Sequence, residues 1–572
     1  MPMQNAEIAA LFDELADLLE IEGANRFRVR AYRHAARTVA EHPRDMSELV
    51  AAGEDLTALP GIGKELAAKI QEMVETGRLS ALEKVKQRTP GSLTRLLKIE
   101  GLGPKRVQTL YEVLGITNLE DLELAAKQGR IRELHGFGAK LEQKILDDLA
   151  RARKEEARTR LDVAESLIEP LVAYLRALEG VMRVEVAGSY RRRKETVGDV
   201  DILAIGEDGA AIIQQFVKYE AVETVVSQGE TRSTVLLRSG LQVDLRVVPQ
   251  ESYGAALLYF TGSKAHNVAL RTLAVKQNYK INEYGVFRDD ERVAGETETE
   301  VYRLLDLAYI EPELRENRGE LQAAKAGRLP RLLTIDDIRG DLQMHTTGSD
   351  GKASLEEMVR AAQVLGYEYI AITDHSAYLG MVQGLDADAL ARQIDAIDAL
   401  NDRLENFHVL KSIEVDILED GSLDLPNEIL QRLDLRICSI HSKFRLPREK
   451  QTERILRAMD NPYFNILAHP TGRRIGERPP YALDMERVMT AALERGCYLE
   501  INAHPERLDL NDIHAKMAQE MGLKLAISTD AHSVNGLRNM RFGVGQARRG
   551  WLEPDDVLNT RPWPELKALL AR

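Results

Sequence analysis

Three aspartates pose the first chemical question. Asp199 and Asp201 stand two residues apart in VAGSYRRRKETVGDVDILAI (186–205), and Asp244 lies in LQVDLRVV. Residues i and i+2 of a strand share a face, so a strand here would point Asp199 and Asp201 the same way. A third carboxylate from a neighbouring strand completes a hard oxygen site suited to two Mg2+ ions. Two such ions about 4 Å apart activate a hydroxyl nucleophile and neutralise a leaving pyrophosphate. Just upstream, Gly188 and Ser189 mark a strand-to-helix turn whose backbone N–H groups can hold a triphosphate. Arg191, Arg192 and Arg193 add positive charge beside it.

A second set of side chains points to hydrolysis. His345, His375, His441, His469 and His532, with Glu414 and Asp530, each stand at or just beyond the end of an apolar run. Eight of the 12 histidines fall in residues 341–572, but their placement says more than their number. In a parallel barrel such strand ends share one face, and sites are built there. A ring of His, Asp and Glu suits several Mn2+, Zn2+ or Fe2+ ions. It would generate a nucleophile from water and clamp a phosphodiester. Glu500 and His504, in EINAHPERLDL, are further candidates for ligands or supports.

The elements that must position these groups follow from patterning. Residues 1 to about 150 have Leu, Ile and Ala at helical spacing. Inside them is a weak repeat: LPGIGKELAAKI (59–70), IEGLGPKRVQTL (99–110) and LHGFGAKLEQKI (134–145). Each copy places Gly-hydrophobic-Gly before an amphipathic helix, which lets a DNA phosphate approach free N–H groups without any base being read. RFRVRAYRHAAR (26–37) interleaves arginines with aromatics and contains no acid. From about 160 to 315, a helix leads to the strand-like runs RVEVAG, DVDILAI, STVLLRS and LQVDLRVV, an α+β layout. Residues 312–333 are charged and punctuated by Gly and Pro, and read as a linker with some helix. From about 336, seven strands (DLQMH, YIAITDH, FHVLKSIEVDI, RICSIHS, NILAHP, CYLEINAH, LKLAISTDAH) alternate with helices and predict a barrel.

Composition limits the alternatives. The 572 residues call for several domains. Two cysteines, Cys438 and Cys497, exclude a disulfide framework and suit a reducing cytoplasm. No apolar run is long enough to cross a bilayer, and the acidic, amphipathic N-terminus does not read as a signal peptide. A net charge of −14 excludes blanket adhesion to nucleic acid, so contact with DNA must use local basic patches.

The motifs carry two resemblances. The spacing GS-x-RR-x-x-E-T-x-GD-x-D, then V-D-x-R, then YFTGSKAHNVALR (259–271), is similar to the palm of the family X DNA polymerases, of the DNA polymerase beta type. DLQMHTTGSDG, ITDHS, IEVDI, SIHS, AHPTGR and STDAH resemble the PHP (polymerase and histidinol phosphatase) domain. The glycine repeats resemble helix-hairpin-helix motifs.

The palm resemblance implies that Asp199, Asp201 and Asp244 hold two Mg2+ ions, and that Gly188, Ser189, Arg192 and Gly198 contact the incoming nucleotide. It also implies that Tyr259 and Phe260 crowd the sugar, Gly262 keeps that segment tight, and Asn267 and Arg271 reach the nascent pair; Glu283 matches as well. Arg193 stands where the family often has glycine, and Lys264 where animal relatives carry an acid. Gly61, Gly63, Gly101 and Gly103 would meet DNA, and Lys69 aligns with the lyase lysine of the animal enzyme. The PHP resemblance implies two or three Mn2+ or Zn2+ ions on His345, Asp350, His375, Glu414, His441, His469, Asp530 and His532. The family usually opens with His-x-His, and Gln343 replaces the first of that pair.

The expected order is a helical DNA-binding, lyase-like domain (1–80) and helix-hairpin-helix fingers (81–158), then an α+β nucleotidyltransferase palm (159–250) and a thumb-like subdomain (251–315). A linker (316–335) and a distorted (β/α)7 PHP barrel (336–572) complete it. Together these imply a bacterial family X polymerase: a cytoplasmic monomer that fills short gaps in DNA from dNTPs. Its barrel would be a 3′–5′ exonuclease, with cleavage at abasic sites a further activity. Two readings stay beside it. One is an RNA or small-molecule nucleotidyltransferase with a small-molecule phosphatase, against which Tyr259-Phe260 and the glycine repeats argue. The other is a DNA-binding scaffold with silent centres, against which the complete carboxylate set argues.

Overall fold

The computed structural model describes residues 5–41, 46–59, 61–97, 99, 101–156, 158–378 and 384–571. The chain divides into two compact units, residues 1–157 and 158–572.

The first unit is helical, as its periodicity predicts. Helices Asn5–Ile21, Arg26–Glu41, Lys64–Thr76 and Pro104–Leu114 bury Phe12, Leu15, Tyr32, Ile70 and Leu110 in one core. The glycine repeats are turns between helices. Gly61, Gly101 and Gly136 have φ of 73°, 90° and 82°, a region open to glycine at little cost. A side chain at Gly61 would also collide with the His34 ring. Gly63 and Gly103 then take the extended N-cap positions of the helices that follow.

The second unit holds the palm, the thumb and the barrel. Strands β1 (Thr159–Arg160) and β3 (Thr196–Val197) form a short antiparallel ladder. The palm sheet has the order β2 (Val181–Val186), β4 (Asp199–Gly206), β7 (Gln242–Val247), β6 (Arg232–Leu237), β5 (Val222–Gln228). Its central pair, β4 and β7, is parallel and the other pairs are antiparallel. The strand pattern missed β5: this edge strand is mostly exposed and lacks the alternation that marks a half-buried strand. The thumb pairs β8 (Lys280–Asn282), β9 (Gly285–Arg288) and β10 (Glu291–Ala294).

Residues 316–335, expected as a linker, are packed. They carry the helix Glu320–Lys325, and they bury Glu320, Leu332 and Leu333. Their charges are satisfied by pairing: Glu320 Oε1 lies 2.7 Å from His266 Nδ1, and Glu316 accepts from Arg192.

The barrel strands are β11 (Gly340–Met344), β12 (Tyr369–Ile372), β13 (His408–Asp416), β14 (Leu435–Ser439), β15 (Ile466–Leu467), β16 (Tyr498–Asn502) and β17 (Leu525–Ser528). All pair in parallel and in chain order. A bridge between Met344 and Ala531 nearly closes the ring, and Thr529 N donates to Asp341 Oδ1 across that seam at 3.0 Å. The seven strands are those the sequence predicts. Nearly all of their residues are buried, though β11, β13 and β16 interrupt their apolar runs with Asp341, Gln343, Glu414 and Glu500.

Palm and barrel share apolar packing. Leu508 and Phe542, from the barrel domain, belong to the core cluster that holds Ile168, Val200 and Val243 of the palm.

Two candidate metal-binding centres

In the palm, the register does what the DxD spacing requires. Asp201 stands directly opposite Asp244 across the β4–β7 pair, and Asp199 is two residues earlier on the same face. Asp244 is buried and braced: Thr234 Oγ1 donates at 2.6 Å, Gln242 Nε2 at 2.9 Å and Arg232 Nη2 at 3.3 Å. Burial, and then the charges of Asp199 and Asp244, push Asp201 up to about 7. Such repulsion is what a pair of divalent cations relieves, so the donor set fits them.

The residues expected to meet the nucleotide begin on the turn after β2. Gly188 has φ 66°, and its Cα region lies against Asp201: a Cβ there would sit 3.4 Å from Oδ2. Ser189 follows, half-buried, in the single helical turn Gly188–Arg191. Arg191 is bound to Glu298 at 2.7 and 2.8 Å. Arg192 Nε donates to Glu316 at 3.1 Å and its Nη1 to the Thr261 carbonyl, beside Gly262. Tyr259 and Phe260 meet edge to face at 5.1 Å, with Arg246 4.2 Å over the Phe260 ring. Asn267 Nδ2 donates to the Tyr259 carbonyl at 2.7 Å, and the exposed Arg271 donates to Asn267 O at 3.3 Å. Gly198, just before Asp199, packs against Arg158.

At the barrel mouth the strand ends bring all eight candidate ligands together. Three sets have donor atoms within 4.8 Å of one another: His345, Asp350, His375 and His532; His375, Glu414 and His441; and His345, Glu414 and Asp530. His469 Nε2 lies 3.0 Å from Glu414 Oε1. His345 Nδ1 and both amide atoms of Gln343 are buried with no hydrogen-bond partner among the described residues. The lone pairs of His345 Nδ1 and Gln343 Oε1, buried without donors, are costly unless a cation completes them. The mixed imidazole and carboxylate set therefore fits a multinuclear centre of borderline divalent ions. His469 and Asp530 have φ of 29° and 53°, strained values for residues with side chains and common where a site dictates the backbone. Burial opposes ionisation of Glu414 and Asp530, but the surrounding histidines outweigh it and hold both carboxylates well below the usual range.

Comparison with known proteins decides the family. The chain is 38% identical over 574 residues, covering both proteins completely, to the DNA polymerase/3′-5′ exonuclease PolX of Bacillus subtilis. This chain belongs to the family X DNA polymerases that carry a PHP domain. Family models agree with the parts: a helix-hairpin-helix domain matches residues 3–79, a SAM-like helix-hairpin-helix tandem 93–151, the DNA polymerase beta thumb 256–316 and the PHP domain 341–504. DNA polymerase lambda of Rattus norvegicus is 27% identical over 344 residues, 54% of this chain and 56% of its own. A "Probable phosphatase" of Thermoanaerobacter is 32% identical over 231 residues, 38% of this chain and 89% of its own.

In this family X chain, three acids inside the quoted motifs do work that sequence reading did not assign. Asp374, in ITDHS, accepts from Thr346 N, Thr346 Oγ1, Ser349 Oγ and Gln393 Nε2 at 2.6–2.8 Å, and so fixes the loop that presents Asp350. Asp416, in IEVDI, lies 3.2 Å from His441 Nδ1 and orients that ring. Asp341, in DLQMH, accepts from Thr529 N and Oγ1, beside Asp530. Asp374 adjoins His375, Asp416 is two residues from Glu414 and Asp341 four from His345, and that nearness was the available signal. Glu500 takes a supporting place: its Oε2 accepts from His469 N at 2.7 Å, and burial pushes its carboxyl well above the usual range. His504 Nδ1 accepts from Glu506 N at 3.4 Å within its own turn. In the first unit, Lys69 Nζ pairs with Glu65 at 2.5 Å and lies 5.9 Å over the Tyr32 ring.

Proposed function

We propose that this chain is a template-directed, gap-filling DNA polymerase whose PHP barrel trims 3′ ends by phosphodiester hydrolysis. The observation that carries the synthetic half is the register of Asp201 opposite Asp244 with Asp199 on the same face. Two Mg2+ ions bound there would lower the pKa of the primer 3′-hydroxyl and neutralise the departing pyrophosphate. Ser189 and the Arg192 guanidinium bind the triphosphate, and Gly188 and Gly198 let it come close. Tyr259 and Phe260 fill the space at the sugar, which favours dNTPs over NTPs, while Asn267 and Arg271 read the shape of the nascent pair. Gly61, Gly63, Gly101 and Gly103 open N–H groups to phosphates of gapped DNA, independently of sequence. Lys69 is the lyase candidate; its use as a nucleophile requires release from Glu65.

The barrel reading rests on the eight-residue donor set, which would hold two or three Mn2+ or Zn2+ ions; these would supply water activation and charge neutralisation. Asp374 and Asp416 fix Asp350 and His441 so that the scissile phosphate meets a preorganised site. Abasic-site cleavage uses the same centre. A protein with these activities works as a monomer in the cytoplasm, on nucleoid DNA. Among the described residues, no helix is long and apolar enough to cross a membrane.

The deciding experiment follows one labelled primer in gapped DNA. With dNTPs and Mg2+ it should lengthen, and without dNTPs but with Mn2+ it should shorten. Equal use of NTPs, or release of phosphate only from small monoesters, would overturn the reading.

A further inference from the structure

The residues that follow Gly188-Ser189 are gripped by the barrel domain. The barrel helix Met540–Arg549 lies against them. Arg193 sits 5.7 Å over the Phe542 ring, and Glu165 bridges Arg193 and Arg541. Glu195 pairs with Arg473 at 2.7 Å. Arg193 has φ 54°, a conformation disfavoured for a residue with a side chain, and these contacts hold it there.

Arg549 is the centre of this grip. Its side chain is 2% exposed. Nη1 donates to the backbone carbonyl of Arg192 at 2.8 Å and to Glu316 Oε1 at 3.0 Å, while Nη2 donates to Asp512 Oδ2 at 2.6 Å. The same Glu316 oxygen accepts from Arg192 Nε at 3.1 Å. Burial opposes the charge on Glu316, but Arg192, Arg549 and Lys194 outweigh it and keep the carboxyl below its usual range. The Thr261 carbonyl takes Nη1 of Arg192. Nη2 of Arg192 has no hydrogen-bond partner among the described residues.

We propose that Arg549 is a positioning residue for nucleotide binding: from the barrel side it fixes Glu316 and the backbone of Arg192, and through them the guanidinium that binds the triphosphate. This rests on the reading of Arg192 as a triphosphate ligand. A free arginine side chain loses rotamer freedom when it binds a phosphate, and a fixed one has already lost it. The relay therefore acts on nucleotide affinity more than on the chemical step.

The test uses the full chain, a single-nucleotide gapped duplex and one complementary dNTP. Arg549→Met should raise the dNTP KM about tenfold, as for residues coupled in one network, while kcat changes little. Arg549→Lys should recover part of the loss, and 3′-end trimming by the same preparations should be unchanged. Glu316→Gln, nearly isosteric, should raise KM similarly, and the Arg549→Met/Glu316→Gln pair should be no worse than either alone. If Arg549→Met does not fold, Glu316→Gln alone carries the test. An unchanged KM, or full additivity in the pair, overturns the relay. Arg192→Lys separates the two claims. If it raises KM while Arg549→Met and Glu316→Gln do not, only the relay fails; if it leaves KM unchanged, the triphosphate reading fails first.

Discussion

His345 Nε2 lies 3.1 Å from Asp530 Oδ1, which ties the end of the first barrel strand to the loop after the last. Candidate ligands thus sit across the seam where the ring is only bridged. Ions bound there should hold the seam, since anything that binds only the folded state stabilises it. Chelation is expected to lower the barrel's melting temperature by about 5 °C, with recovery on adding Mn2+. Calorimetry on the full chain checks this, and identical melting in chelator and Mn2+ would contradict it.

The two centres should be separable by mutation. Asp199→Asn with Asp201→Asn should cut nucleotide addition by about a thousandfold or more, because several kcal/mol of charge stabilisation is lost, and leave 3′-end trimming intact. His345→Ala, or Asp530→Asn with His532→Ala, should do the reverse. Primer extension and trimming assays on the same preparations measure both. One folded variant losing both activities would refute two independent centres.

Gln343 stands where the PHP resemblance implies a histidine, and both of its amide atoms are buried without hydrogen-bond partners among the described residues. Imidazole is the better ligand for borderline metals. Gln343→His should therefore tighten the weakest-bound ion of the barrel by about tenfold or more, a range typical for changes around metal ligands. Titration calorimetry with Mn2+ reads it directly. Unchanged affinity and stoichiometry would place residue 343 outside the metal's reach.

Glu298 anchors the junction of palm and thumb between Arg315, 2.6 Å away, and Arg191, 2.7 Å away. Burial would raise its carboxyl, but Arg315 and then Arg191 hold it at about 2, below its ordinary 4.5. A depressed carboxylate contributes stability above its unfolded pKa and loses it as the pH falls through the folded one. Glu298→Gln should thus cost about 3 kcal/mol at pH 7, where it leaves the buried Arg315 and the half-buried Arg191 guanidiniums short of a partner. The gap to the parent should narrow below about pH 4.5. Urea unfolding at pH 7 and pH 4 tests the sign, and a gap that widens in acid would be the wrong one.

What the sequence made legible was local. The barrel strands are largely buried, and six of the seven carry a candidate ligand near or just after their ends, so strand and ligand announce each other. The Asp199–Asp201 spacing likewise implies a shared face wherever a strand is certain. Less legible was anything formed by distant charges. Glu316 with Arg192 and Arg549, or Glu298 with Arg191 and Arg315, leave no local pattern, and their burial is invisible in composition. The same blindness made 316–335 read as a tether: polar residues predict solvent unless their partners are known. The exposed edge strand β5 escaped for the opposite reason, since it has no buried face to reveal it.

Leu508 and Phe542 insert into the core of the synthetic half. Cutting the chain ahead of the barrel would strip two greasy plugs from the fragment that remains, and its raw apolar wound would invite clumping. Polymerising and trimming are thus inherited together, as organs of one body rather than modules on a string.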